Sequence, residues 1–318
     1  MYLLLGAGFS RNWGGWLADE AFEYLIGCPS VKSSDELKRL MWQYRGEGFE
    51  AILAKLQDLD SPYSAMMLDA LKEMFNLMNE SFADGQIGFE PYGNTIPTVV
   101  DFLSNFKVIY TLNQDLLLEK KYCKYKRESS ISGAAGLVCI PGMMAKEHQS
   151  DGKPIYSGKW KPSGGEFQVG IGCQSLVKLH GSSNFFDGDE DLMILGTAKQ
   201  EQIKQNPILK QYNMFFSSSV DEEDAKVLII GYSFRDNHIN DIIFKSCINR
   251  NPEFFVIDPH GLEIIERNGF ENTSVNISGN RHKILSKFVG GSRRSLKEIF
   301  TFPGDRVEYS KIQRFIGS

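Results

Sequence analysis

Tyr2-Leu3-Leu4-Leu5-Gly6-Ala7-Gly8-Phe9-Ser10 opens the chain as a short apolar strand running straight into a glycine turn. Trp16, Leu17, Phe22 and Leu25 follow at helical spacing, so the unit is strand, turn, helix. The pattern returns at Phe106 to Leu112, which leads through Asn113-Gln114-Asp115 into a helix expected from Leu116 to Cys123. Leu176-Val177-Lys178-Leu179 reads as a strand ending in His180-Gly181-Ser182, and Leu192 to Leu195 is a further candidate. A helix is expected from Gln202 to Phe216. Lys226 to Ile230 then leads through Gly231-Tyr232-Ser233 to a helix from His238 to Ile248, capped by Asp236 or Asn237. Phe254 to Ile257 ends at Asp258-Pro259, before a helix through Ile264 and Ile265. Near-continuous apolar strands alternating with helices predict an α/β fold: a Rossmann-like parallel sheet with helices on both faces. In such sheets ligands bind beyond the carboxyl ends of the strands. Here those ends are Gly6 to Ser10, Asn113 to Asp115, His180 to Ser182, Gly231 to Ser233, and Asp258.

Two stretches stand outside this alternation. Between Asp35 and Phe82 apolar residues keep helical spacing, with Pro62 as a break, which predicts an inserted helical subdomain over residues 30–95 of a single domain spanning 1–318. Residues 127–174 are rich in Ser, Gly and Lys with little periodicity, and are expected to form a long irregular excursion.

Composition narrows the function. The chain has 35 Lys+Arg against 40 Asp+Glu, a net charge of −5, which argues against a basic nucleic-acid binder. With 42% hydrophobic and 24% charged residues it can build a sizeable core. No apolar run approaches the roughly 20 residues that span a bilayer, and the first residues show no cleavable leader pattern. A cytoplasmic protein without membrane contact is expected. Cys28, Cys123, Cys139, Cys173 and Cys247 are odd in number and scattered, which predicts reduced thiols. No Cys-x-x-Cys pair exists, and the histidines at 148, 180, 238, 260 and 282 form no paired motif, so no metal is expected.

Each strand end also has a plain structural reading. Gly6-Ala7-Gly8 lets a backbone approach a phosphate at a helix start, but it serves equally as a tight turn, and Arg11 stands where a dinucleotide fingerprint has its third glycine. Asn113, Asp115 and Asp258 are also turn formers, and a lone His180 is often structural.

The combination is more specific than its parts. Gly6-Ala7-Gly8-Phe9-Ser10, Thr111-Leu112-Asn113-Gln114-Asp115, Lys178-Leu179-His180-Gly181-Ser182 and Gly231-Tyr232-Ser233-Phe234, with Asp236 and His238-Ile239-Asn240 after it, occur in the order found in sirtuin-like proteins. The chain resembles the sirtuin-like (silent information regulator-like) NAD-hydrolysing domain of bacterial antiphage defence systems. The resemblance implies that Gly6, Ala7, Gly8 and Ser10 cradle the NAD phosphates, with Phe9 beside the nicotinamide-ribose path. It places Asn113 and Asp115 on the nicotinamide ribose and carboxamide, and makes His180 the catalytic histidine. Gly231 and Ser233 then receive the adenine-side phosphate and ribose, and Asp258 meets the adenosine ribose.

Two departures qualify the resemblance. Leu112 stands where the family has a polar Gln, and the paired cysteines of the zinc module in sirtuin deacylases are missing. The first leaves one hydrogen bond to the ribose region missing or supplied elsewhere; the second, with a helical insertion around residues 35–83 that matches no acyl-peptide groove, favours NAD hydrolysis over deacylation. The nicotinamide nitrogen of NAD is already cationic, so its departure needs no general acid, and no step calls for a metal. Asn113 can orient a water, and His180 can take its proton if its pKa lies near neutrality. The expected activity is that of an NAD glycohydrolase releasing nicotinamide and ADP-ribose, or a cyclic form of it. A sensor of NAD or an ADP-ribose-type nucleotide without turnover is the alternative, and an NAD-dependent protein deacylase a third. The resemblance further implies an abortive-infection effector switched on by a sensor or ATPase subunit, within a homo- or hetero-oligomer.

Overall fold

All four residues of β1 (Tyr2–Leu5) are buried. Successive side chains of a strand point to opposite faces, so both faces of this strand are covered. The same holds for β2 (Val108–Thr111), and for all but the first residue of β6 (Gln174–Lys178), β9 (Lys226–Ile230) and β10 (Glu253–Ile257). With β3 (Val138–Cys139) and β11 (Phe288–Ser292) they make a seven-stranded sheet in the order β11-β10-β9-β1-β2-β6-β3, parallel throughout. The computed structural model describes residues 1–58, 61–84, 98–123, 138–165, 167, 169, 172–196, 199–300 and 305–317. Helices surround the sheet, giving the Rossmann-like α/β architecture that the apolar runs predict. From β1 the chain builds outward to β2, β6 and β3 on one side and to β9, β10 and β11 on the other. The order therefore reverses at β1, which makes the crevice between the ends of β1 and β9 the expected ligand site.

Between β1 and β2 lie α1 (Ala7–Arg11), α2 (Ala18–Leu25), α3 (Pro29–Lys32), α4 (Asp35–Gln43), α5 (Phe49–Asp58), α6 (Tyr63–Asp84) and α7 (Val99–Leu103). The start of α4 is readable in the sequence: the Ser34 hydroxyl accepts the Leu37 N–H, and Asp35 and Glu36 occupy the positive first turn. The last part of the 30–95 segment, residues 85–95, lies outside the described residues.

Several expectations are corrected. Strand β6 does not simply end at His180-Gly181-Ser182. Gly181, at φ 75°, turns the chain directly into β7 (Gly181–Asp187), where a Cβ would lie 1.9 Å from the Leu192 carbonyl oxygen. With β4 (Met143–Ala145), β5 (Trp160–Pro162) and β8 (Glu190–Met193), β7 forms a second, four-stranded sheet. The described part of 127–174 is largely irregular, as expected, but carries the short strands β3, β4 and β5, and residues 127–137, 166, 168, 170 and 171 lie outside the described residues. The helix expected over Gln202 to Phe216 is two, Lys199–Gln205 and Pro207–Val220, because Pro207 starts a new helix with Asn206 as its cap. The helix expected from Leu116 is a wider, π-type turn over Leu118–Cys123. Nor are all the thiols reduced. The β3–β6 register pairs Cys139 with Ser175 and so sets Cys139 beside Cys173, whose Cα atoms lie 6.1 Å apart and whose sulfurs form a disulfide. Cys28, Cys123 and Cys247 remain free and buried. The disulfide removes the cysteine argument for a reducing compartment. No helix among the described residues is long and apolar enough to cross a membrane.

Candidate active site

The glycine turn is shaped first by another turn. Gly8 N donates to the Gly231 carbonyl at 3.0 Å, and Gly231 adopts φ 61°. A Cβ on Gly6 would lie 2.4 Å from Gly231 O, and one on Gly231 would lie 2.4 Å from Gly8 C, so the ends of β1 and β9 meet backbone to backbone. Ala7 is exposed, and Phe9 is buried with its ring 4.8 Å from that of Trp13.

Ser10, Asn113 and Asp115 form one hydrogen-bonded unit across the ends of β1 and β2. Asn113 Nδ2 donates to the Gly6 carbonyl at 3.0 Å and to Ser10 Oγ at 2.9 Å. The Ser10 hydroxyl in turn donates to Asp115 Oδ2 at 2.7 Å. With both amide hydrogens of Asn113 engaged, the atom it can offer a substrate is the acceptor Oδ1. The other Asp115 oxygen accepts the Leu117 N–H at 3.0 Å. Burial pushes the Asp115 carboxyl up, while the Lys178 charge, the Leu117 N–H and the Ser10 hydroxyl pull it back. Lys178, 1% exposed, pairs with Glu119 at 2.8 Å and donates to the Asp115 carbonyl at 2.6 Å. Leu112, standing where the family has a polar residue, is buried, while the neighbouring Gln114 donates its amide to the Ile194 carbonyl. The space bounded by Phe9, Ser10, Asn113, Asp115 and Lys178 is about 10 Å³, room for one water.

His180 stands at the end of β6, next to β2. Thr111 pairs with Lys178, so Asn113 and His180 each follow that pair by two residues on neighbouring strands. His180 is 3% exposed, and its Nε2 lies 3.0 Å from Nε2 of His238, in the first turn of the helix Asn237–Asn249. Asp236 precedes that helix. Its carboxylate is not spent on the cap but binds Lys199 at 2.7 Å, and Lys199 also binds Glu50 of α5 at 2.7 Å. Burial alone would push the Asp236 carboxyl up, yet Lys199 and the histidines hold it down at about 2. Burial likewise lowers Lys199, but Asp236 and Glu50 more than offset it and raise it overall. Burial drives the His180 imidazole well below the usual histidine range, against the pull of Asp236, and His238 is lowered for the same reason. The near-neutral His180 expected from the sequence is therefore not what this environment produces. Burial disfavours the charged imidazole, so His180 is a weaker base than expected, and of the two facing Nε2 atoms one donates its hydrogen to the other.

The remaining candidates lie on the β9 side. Ser233 is exposed, with its carbonyl accepting from Asn268 Nδ2 at 2.8 Å. Asp258 follows β10, where its Oδ1 accepts the His260 N–H at 2.8 Å, the turn-forming role its place before Pro259 suggests. Three residues to which the sequence assigns no role, Glu50, Lys199 and His238, join the site through ion pairs and the histidine contact. Of these, His238 alone lies within one of the strand-end motifs.

A family model described as SIR2-like domain matches residues 107–275, just over half of the chain. That range contains Asn113, Asp115, His180, Gly231, Ser233 and Asp258, while the glycine turn before it is tied in by the Gly8–Gly231 contact. No curated protein matches the chain.

Proposed function

Because the chain belongs to the SIR2-like domain family, whose domains bind NAD, we propose that it is an NAD glycohydrolase releasing nicotinamide and ADP-ribose, or a cyclic form of it. The observation that carries this reading is the Ser10–Asn113–Asp115 unit across the ends of β1 and β2, with His180 on the adjoining strand end. In the reaction the bond between ribose C1′ and the cationic nicotinamide nitrogen breaks, and its electron pair leaves with neutral nicotinamide. Water attacks C1′ and loses a proton to the His180–His238 imidazole pair, whose two Nε2 atoms share one hydrogen bond. Asn113 Oδ1 accepts a hydrogen from that water or from a ribose hydroxyl, which fixes the attack geometry. The Asp115 carboxyl receives the carboxamide N–H. Ser10 locks Asn113 and Asp115 together, so neither has to reorganise when charge develops on the ribose.

A deacylase is disfavoured by the thiols. The Cys139–Cys173 bridge leaves three free cysteines, one short of a four-cysteine zinc module. A sensor that binds without turnover is the second reading, favoured by the burial that weakens His180 as a base. Incubation with NAD alone, scored for free nicotinamide, decides: the glycohydrolase releases it, whereas a sensor, or a deacylase without acyl peptide, leaves NAD intact. By the same reading the protein is the NAD-depleting effector of an antiphage abortive-infection system. It works in the cytoplasm, as an oligomer held in check until a sensor or ATPase subunit activates it.

A further inference from the structure

Histidines 58 positions apart in the chain meet at one point of the fold, joined there by an aspartate. One ligating atom from each of His180, Asp236 and His238 lies within 4.8 Å of the others. We propose that these three side chains form a site for one zinc-class divalent cation. The two Nε2 atoms are 3.0 Å apart. A tetrahedral ion with metal–nitrogen bonds of about 2.0–2.1 Å holds two such nitrogens about 3.3 Å apart, so the rings need to part by only a few tenths of an ångström. Asp236 swings in by a side-chain rotation from the start of the helix that also carries His238. Two imidazoles and one carboxylate are a borderline donor set that suits zinc and its neighbours rather than magnesium or calcium, which demand oxygen.

The surrounding charge permits it. Lys199 brings one positive charge, but Asp236 and Glu50, which bind it at 2.7 Å each, bring two negative ones. His238 and Asp236 are partly exposed while His180 is buried, so an ion has a way in from the helix side. Three protein ligands leave a fourth position for water. Occupancy engages the Nε2 lone pair of His180. On the NAD reading, and only there, the ion therefore silences the base.

The test uses the full chain stripped with a chelator and then titrated with zinc chloride against a zinc-indicator dye. The expected result is one zinc per chain, weakened at least ~10-fold by His238→Ala and by Asp236→Asn and unchanged when His148, His260 and His282 are all replaced by Ala. Zinc should also raise the melting temperature of the wild type and not of His238→Ala. Cobalt in place of zinc should give visible bands of nitrogen and oxygen ligation without a thiolate charge-transfer band, an arm that holds even if His238→Ala fails to fold. No stoichiometric binding, binding that survives Asp236→Asn undiminished, or a thiolate band would overturn the site. Nicotinamide release by the metal-free chain should fall at least ~10-fold on zinc loading and recover with chelator. If release is unaffected by bound zinc, the link to the base is wrong; if the metal-free chain releases none, the NAD reading is at fault and the binding result stands by itself.

Discussion

Gly231 occupies a place at the strand ends that only glycine can fill. At φ 61° a Cβ there would lie 2.4 Å from both Gly8 C and Phe9 N, which are backbone atoms of a turn that is itself hydrogen-bonded to Gly231. Gly231→Ala is expected to cost about 3 kcal/mol or more, because conformational strain adds to a clash that nothing can yield to. Gly14, at φ 85° with nothing within 4 Å of the place an added methyl would take, is the control: Gly14→Ala should cost only about 1 kcal/mol of strain. Urea unfolding of the two variants checks both figures. Asn113→Ala and His180→Ala test the chemistry. Loss of a preorganised polar group aimed at developing charge costs on the order of a hundred- to a thousandfold in turnover. Asn113→Ala also strips the Gly6 carbonyl of a donor, a loss of about 1 kcal/mol that leaves most chains folded. If both side chains act on one water, the double variant should be little slower than the slower single one. Nicotinamide release and thermal unfolding on the same preparations separate this from a purely structural His180, whose loss would lower the melting temperature and leave the folded fraction fully active.

Helix α5 reaches the site through one lysine. Lys199, 13% exposed, holds Glu50 of α5 and Asp236 before the helix Asn237–Asn249. Lys199→Met should cost about 2 kcal/mol, less than for a fully buried pair because Glu50 is 37% exposed, with two carboxylates left facing each other. Replacing Glu50 by Gln as well should recover part of that loss, and chemical denaturation of the single and double variants reads the difference. None of this is visible in the sequence, where Glu50, Lys199 and Asp236 are ordinary charged residues of three separate segments. The strands are legible for the opposite reason: β1, β2, β9 and β10 are near-continuous apolar runs, as a sheet covered on both faces demands, and β6 shows through Leu176-Val177 before its strand-end motif. Strand β11 is hidden because Phe288-Val289-Gly290-Gly291-Ser292 has little apolar content. It needs glycine at 290 since Phe255 fills that place, a Cβ there lying 2.7 Å from its ring. The Ser10–Asn113–Asp115 unit is legible as three strand-end residues, but not as a hydrogen-bonded chain. The His180–His238 contact is hidden because it depends on the segment after β9 crossing β1 and β2 to reach the end of β6.

At the scale of the whole molecule, the helical segment between β1 and β2 grips the site from two sides. Glu50 of α5 is tied to Lys199, and Asn79 of α6 accepts the Leu116 N–H at 2.8 Å while donating to Ser183 Oγ at 3.0 Å. Asn79 thereby holds the residue after Asp115 and a residue of β7 in fixed relation. The small void among Ser10, Asn113 and Asp115 is about 10 Å³, enough for a water. On the NAD reading, a chain populating its open, binding-competent form only as a fraction loses apparent affinity by that fraction. An assembly or partner that binds the open form better shifts the population by its differential affinity alone. The expected outcome is that the dilute, isolated chain releases nicotinamide slowly, and that release per chain rises at least ~10-fold as it assembles with itself or with a co-purifying subunit. Release measured across a dilution series, with mass followed by light scattering in the same samples, tests this. Full activity in a dilute monomer, unchanged by assembly or by any added subunit, would show that the closed site opens unaided and that no gate of this kind exists.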